Sequence, residues 1–138
     1  MKDIKIAKER LIGGLFTLVG VNNETIFTSS ERGIKPLLQL YESDRDYSQF
    51  SFADKAVGKG AAFLYLLLKV KKIHAVLISK PALDLLLQNG VSVFYDNLVE
   101  NIINRKGDGI CPIEQTVLKE TDAKKAYLLI KEKLKTLN

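Results

Sequence analysis

The stretch "FADKAVGKGAAFLYLLLKV", residues 52–70, decides how the chain is to be folded. Its apolar second half and scattered charges predict a helix from about Asp54 to Val70. The short apolar run "IHAVLIS", residues 73–79, follows it and suits a strand buried on both faces of a parallel sheet. Such a helix raises a question of charge. Its first turns would carry Asp54, Lys55 and Lys59, although the amino end of a helix is its positive end and favours anions. Either the lysines are solvated and point away from the dipole, or they help the helix terminus hold an anion.

The pattern repeats downstream. "KPALDLLLQNG" predicts a helix with Pro81 at its start and Gly90 at its end, and "VSVFY" predicts the next strand. Two helix-then-strand units in tandem argue for parallel strands with crossover helices packed on them. Upstream, Ile4 to Leu11 suits a short helix ended by Gly13 and Gly14. "LFTLVG" and "ETIFTS", separated by "VNN", predict an antiparallel hairpin. A short helix is expected around Ile34 to Tyr41 with Pro36 in its first turn, and "DRDYSQFSF" reads as a loop. The remainder, from "DNLVENII" onward, reads as helical apart from the turn "NRKGDG". The expected architecture is α/β: a three-layer α-β-α sandwich whose mixed sheet combines an antiparallel hairpin with two parallel strands.

Composition narrows the function classes. The 138 residues suffice for one domain, spanning 1–138, with no second core. With 21 basic and 16 acidic side chains the net charge is +5, but the signs interleave as on a solvated helical surface, which argues against a nucleic-acid partner. One cysteine, Cys111, excludes an internal disulfide and a multi-cysteine metal cage, and fits a reducing cytoplasm. The amino-terminal segment is not read as a signal peptide, because Asp3 and Glu9 interrupt its basic region and Gly13-Gly14 its apolar run. The most apolar segment, "AAFLYLLL", has 8 residues where a bilayer span needs about 20, so no membrane role is expected.

Two groups of residues carry the candidate chemistry. On a helix Lys55 and Lys59 would be neighbours on one face, with Asp54 capping the first turn. A bound phosphate or carboxylate would turn their mutual repulsion into attraction. Gly58 and Gly60 each cost about 1 kcal/mol in a helix interior, so a close approach to the sheet or to a ligand should compensate. In "NRKGDGICPIE", a tight turn precedes a helix opened by Cys111-Pro112. A thiol at a helix start has a lowered pKa and could serve as a nucleophile, and Glu114 stands at capping-box spacing or could act as an acid or base; the bland alternative is a small cysteine in a cap position. His74 heads a strand at the end opposite the expected site, and Tyr41, Tyr47, Phe50 and Phe52 read as loop anchors without a functional role.

The order of elements resembles the cytidine-deaminase-like fold. In active deaminases a zinc is held by a histidine in an H-x-E setting at one helix start and by cysteines in a P-C-x-x-C setting at the next. At the corresponding positions this chain has Ala53, Asp54 and Lys55, and then Ala82 and Leu85 after Pro81, which cannot assemble about three zinc ligands. More closely, "ADKAVGKGAA", "ISKPALDLL" and "INRKGDGICPIE" resemble the DUF1893-type family of small prokaryotic proteins of unknown function, grouped with that fold as a zinc-less branch. The resemblance implies a single deaminase-like domain without a metal or cofactor, and a candidate pocket in the old zinc position formed by Asp54, Lys55, Lys59, Cys111 and Glu114.

The resulting expectation is a cytoplasmic, non-deaminating domain that binds a small anionic or nucleotide-like ligand through Lys55, Lys59 and helix amides. Two alternatives stand beside it: an enzyme with Cys111 as nucleophile, Lys55 lowering its pKa and Glu114 shuttling the proton, and an RNA or protein interaction module. Oligomeric state, including a homo-oligomer, is left open by the sequence.

Overall fold

The computed structural model describes residues 2–137. Helix α1 (Lys2–Gly13) leads into strands β1 (Leu18–Asn22) and β2 (Thr25–Ser29), which form the expected hairpin, its turn made by Asn23 at a positive φ of 54°. Asparagine tolerates that left-handed conformation better than most residues. Helix α2 (Lys35–Glu42) has its proline in the first turn, where the missing N–H costs nothing. Then come β3 (Ser51–Val57), α3 (Lys59–Leu67), β4 (Lys72–Ser79), α4 (Lys80–Gln88), β5 (Ser92–Val99), α5 (Pro112–Val117) and α6 (Ala123–Thr136).

The five strands lie in the order β2-β1-β3-β4-β5, with β1 antiparallel to both β2 and β3, and β3, β4 and β5 mutually parallel. The sheet is therefore mixed, as expected, but it has one strand more than the sequence suggested. "SFADKAV" is the central strand β3, and the helix expected from Asp54 begins only at Lys59, after Gly58 in an extended conformation. Asp54 and Lys55 consequently lie on a strand, where they alternate across the sheet, and Lys55 and Lys59 are not stacked on one helical face. The residues after Tyr95 also depart from expectation. Asp96–Val99 continue β5, and Ile103 pairs with Ile110 in a small antiparallel bridge where helix had been expected.

Because β3, β4 and β5 follow one another across the sheet, right-handed crossovers bring α3 and α4 to the same face. There Phe63, Leu64, Tyr65 and Leu86 pack with Leu18, Phe52, Ile73 and Ala75 of the sheet, and Ala126 and Ile130 of α6 close the cluster from outside. The opposite face is covered by α1, whose Ala7 and Leu11 pack on Val19, Val21 and Ala53. The result is three layers around one sheet. Tyr47, Phe50, Phe52 and Tyr65 form a chain of ring contacts within the larger core, with centroids 5.1, 6.0 and 5.7 Å apart, and so hold the loop before β3 against α3. At the periphery, Glu42 at the end of α2 accepts hydrogen bonds from Tyr127 and Lys131 of α6.

The two glycines at the start of α3 are explained by close approach. A methyl group at Gly60 would lie 2.7 Å from Ile113 Cγ2 and 3.1 Å from Ile34 Cδ1. At Gly58 it would lie 3.1 Å from Ile102 Cγ1 and 3.2 Å from Glu114 Oε2. The carboxyl-terminal segment thus seats directly on the start of α3. Helix propensity alone would make Gly60→Ala stabilising by about 1 kcal/mol. Overpacking against the buried Ile34 and the half-buried Ile113 reverses the sign, and the variant is expected to lose about 1–3 kcal/mol in urea unfolding; a raised unfolding midpoint would contradict this packing.

Candidate functional site

The carboxyl ends of β3, β4 and β5 converge where α3 and α4 begin, the region in which open α/β sheets hold ligands. Glu114, the third residue of α5, projects into this junction with only 1% of its surface exposed. Its Oε2 accepts a hydrogen bond from the backbone N–H of Lys59 at 2.7 Å and another from the Ser79 hydroxyl. Its Oε1 accepts from the backbone N–H of Ile102. Ser79 is in turn the N-cap of α4, its oxygen accepting from the N–H of Ala82 at 3.3 Å. One carboxylate therefore ties together the start of α3, the start of α4 and the chain leaving β5. The expected capping box at α5 does not form, because the N–H of Cys111 donates instead to the carbonyl of Ile102 at 2.7 Å.

This arrangement accounts for Lys59. It occupies the first helical position of α3, where the dipole disfavours a cation, but the anion beside it is the chain's own Glu114. The Lys59 ammonium donates to the carbonyl of Leu118 at 2.6 Å and sits 5.6 Å from the centre of the Phe63 ring. Burial pulls its pKa down, while attraction to Glu114 and Glu120 opposes that shift.

Beside the Glu114 junction opens a cleft of about 330 Å³, at the carboxyl end of β3 and the start of β1. Its walls are mainly apolar, with Leu18, Ile34, Leu37, Ala61, Ile102 and Ile113 contributing. Of the residues singled out in the sequence, Asp54, Lys55, Cys111 and Glu114 all line it, whereas Lys59 does not. Arg32, from the loop before α2, and Arg105 also line it and were not recognised in the sequence. Arg105 is carried by the predicted tight turn: Asn104 Oδ1 accepts from the N–H groups of Gly107 and Asp108, and Gly107 takes the positive φ of 76° that the turn needs. Lys55, Arg32 and Arg105 are exposed, and none forms an ion pair among the described residues. The Cys111 side chain makes no capping hydrogen bond to α5.

Asp54 is only 9% exposed, and its carboxyl faces α3, not a helix mouth of its own. Oδ2 accepts from the Tyr65 hydroxyl at 2.6 Å, and Oδ1 from the N–H of Ala56 at 3.3 Å. Burial pushes its pKa up to about 7, against the lowering effect of the Tyr65 and backbone hydrogen bonds. The same burial, with Asp54 nearby, drives the Tyr65 hydroxyl well above its ordinary pKa. His74 lies outside the cleft, buried on β4; its Nε2 is 3.2 Å from Asp96 Oδ1 without the alignment of a hydrogen bond.

Asp54 makes stability depend on pH in a defined direction. Its carboxyl holds a proton in the folded state up to pH about 7 but releases it near pH 3.8 when unfolded. Across that window the unfolded chain binds fewer protons, so stability falls as pH rises, at up to about 1.4 kcal/mol per pH unit, and levels off above it. Asp54→Asn is expected to flatten the profile and to be the more stable form at pH 8 in urea unfolding; parallel profiles for the two proteins would contradict the assignment.

Comparisons with known proteins agree with this architecture. The family model described as "Domain of unknown function (DUF1893)" matches residues 6–134. No curated protein matches the chain. Among solved structures, the crystal structure of a DUF1893 family protein from Thermotoga maritima is similar with a TM-score of 0.83 and 31% sequence identity, the match covering 99% of this chain and 90% of that one. The described residues also contain no helix long and apolar enough to cross a membrane. With the family model spanning nearly the whole chain and the fold shared from end to end, the chain belongs to the DUF1893 family.

Proposed function

We propose that this domain binds a small anionic, nucleotide-like ligand in the cleft between β1, β3 and the Arg105 turn. The observation that carries the reading is the distribution of charge around one apolar-walled space. Three cations, Lys55, Arg32 and Arg105, line it without ion-pair partners among the described residues. The two carboxylates that also line it are occupied: Asp54 by Tyr65 and Ala56, Glu114 by Lys59, Ser79 and Ile102. An anion entering the cleft meets uncompensated positive charge, and a planar or apolar body meets aliphatic walls. At about 330 Å³ the space is at the small end of ligand-sized cavities, which favours a mononucleotide over a dinucleotide.

The N–H of Lys59 takes no part in this reading, since it already donates to Glu114; Gly60 and Ala61, next in α3, line the cleft. Nor does this reading use Glu114 as a proton shuttle for Cys111, because both of its oxygens already accept hydrogen bonds from Lys59, Ser79 and Ile102. The order of elements supports a zinc-less, deaminase-like domain as the ancestry of this cleft. The actual starts of α3 and α4, Gly58 to Gly60 and Ser79 to Pro81, supply neither histidine nor cysteine.

Calorimetric titration with adenosine 5′-monophosphate tests the proposal, with inorganic phosphate as the minimal anion. Lys55→Ala and Arg105→Ala are each expected to weaken binding about tenfold or more, the worth of a charge-assisted hydrogen bond of about 1.5–3 kcal/mol. Lys59→Ala, in a folded sample, is expected to weaken it little. Absence of binding by either anion at millimolar concentration, or affinity unaffected by the Lys55 and Arg105 substitutions, would overturn the reading.

A further inference from the structure

We propose that β5 is a dimerisation edge that pairs antiparallel with β5 of a second copy of this chain, extending the sheet across a two-fold axis. The two edges of the sheet are built differently. β2 is short, five residues of the sequence "TIFTS". β5 is eight residues long, "SVFYDNLV", and contains neither lysine nor proline, the residues by which exposed edges are ordinarily protected from pairing. It nevertheless exposes large apolar side chains: Phe94 is 41%, Tyr95 44% and Leu98 45% accessible. Strands of parallel sheets are normally buried on both faces, whereas β5 has no fully buried residue along its length.

The distribution of those side chains selects the occupant. Strand alternation puts Phe94 and Leu98 on one face of the sheet and Tyr95 on the other. On the Tyr95 side, α4 packs against β5 and exposes Leu87. A partner lying on one face would leave the other half of this apolar surface wet. A strand added at the edge, carrying its own flanking side chains, covers both halves and satisfies the free backbone groups of β5 as well.

The charge pattern points to a copy of the same chain as the source of that strand. Lys71 and Lys72 stand at the amino end of β4, next to Ser92 at the amino end of β5, while Glu100 follows its carboxyl end. None of these three is ion-paired among the described residues. Antiparallel self-pairing lays the acidic end of one copy along the basic end of the other, and the two-fold axis makes the match twice. The register is constrained too. A pairing centred on Asp96 would set two carboxylates directly opposite, whereas one centred on Tyr95 sets two aromatic rings opposite and each Asp96 across from Phe94.

Sedimentation of the full chain at roughly 50 µM, well above the micromolar Kd of a modest interface, is the direct test. The expected mass is twice the 15.4 kDa of the chain, and Phe94→Lys with Tyr95→Lys is expected to return it to 15.4 kDa with the circular dichroism of the folded protein retained. A second variant guards against misfolding of the first: Tyr95→Cys in a Cys111→Ser background should form a covalent dimer on mild oxidation, because opposed residues in an antiparallel pair lie about 4.5–5.5 Å apart, within disulfide range. A monomeric chain at that concentration overturns the proposal, whatever else may use the edge. So does a dimer that survives the lysine substitutions and gives no crosslink through residue 95.

Discussion

The structure depends on one buried carboxylate reached from far along the chain. Glu114 accepts hydrogen bonds from Lys59, Ser79 and Ile102, groups that belong to three different stretches of sequence. An unsatisfied buried donor costs about 1–3 kcal/mol, so these three groups would be a liability without it. With it, the starts of α3 and α4 are held against the chain leaving β5. The same contact explains Gly58 and Gly60, whose missing side chains leave room for Ile102, Ile113 and Glu114. It also answers the question of charge raised by the sequence: an anion does sit at the positive end of α3, and the protein supplies it.

Satisfying α3 internally shapes the neighbouring cleft. Glu114 occupies the first N–H of α3, and the charged side chains around the cleft come from other elements: Lys55 on β3, Arg32 before α2 and Arg105 in the turn before α5. These lie around an aliphatic space whose lining includes Gly58, Gly60 and Ala61 at the start of α3. Asp54 contributes to the polarity of that space in a state set by its burial and by Tyr65, and it titrates near neutrality.

Much of the architecture was legible in the sequence because local chemistry and tertiary role agree. The β1–β2 hairpin, the proline-started helices α2 and α4, and the turn at Asn104 are written in short-range signals, and each forms within a few residues of the expected place, Val21 and Asn22 of the expected turn belonging to β1. The central strand was not legible. "SFADKAV" contains two alanines, an aspartate and a lysine, all weak strand formers, and runs into an apolar helix without an obvious break. Its strand conformation is imposed by hydrogen bonding to β1 on one side and β4 on the other. Gly58 was the available signal: followed by Lys59 and Gly60, it marks a start more naturally than an interior. The tail of β5 was missed for a related reason, since Asp96 and Asn97 resemble turn residues but lie on an exposed edge that tolerates them. In the site, Asp54, Lys55, Cys111 and Glu114 come together at the cleft although Asp54 and Lys55 belong to the second half of β3, where a helix start is expected, because that half of the strand leads directly to the start of α3. Arg32 and Arg105 stand in loops whose local sequence carries no mark of what they face.

The central claim is that Glu114 organises the junction as an acceptor of three hydrogen bonds, and Glu114→Gln tests it most directly because volume is conserved while one acceptor oxygen becomes a donor. Equilibrium urea unfolding of the variant is predicted to show a loss of roughly 2 kcal/mol or more relative to the parent chain, since at least one buried N–H or hydroxyl must then face an amide N–H. A stability within about 0.5 kcal/mol of the parent would contradict the account, for the junction would then hold without the anion on which it is argued to depend.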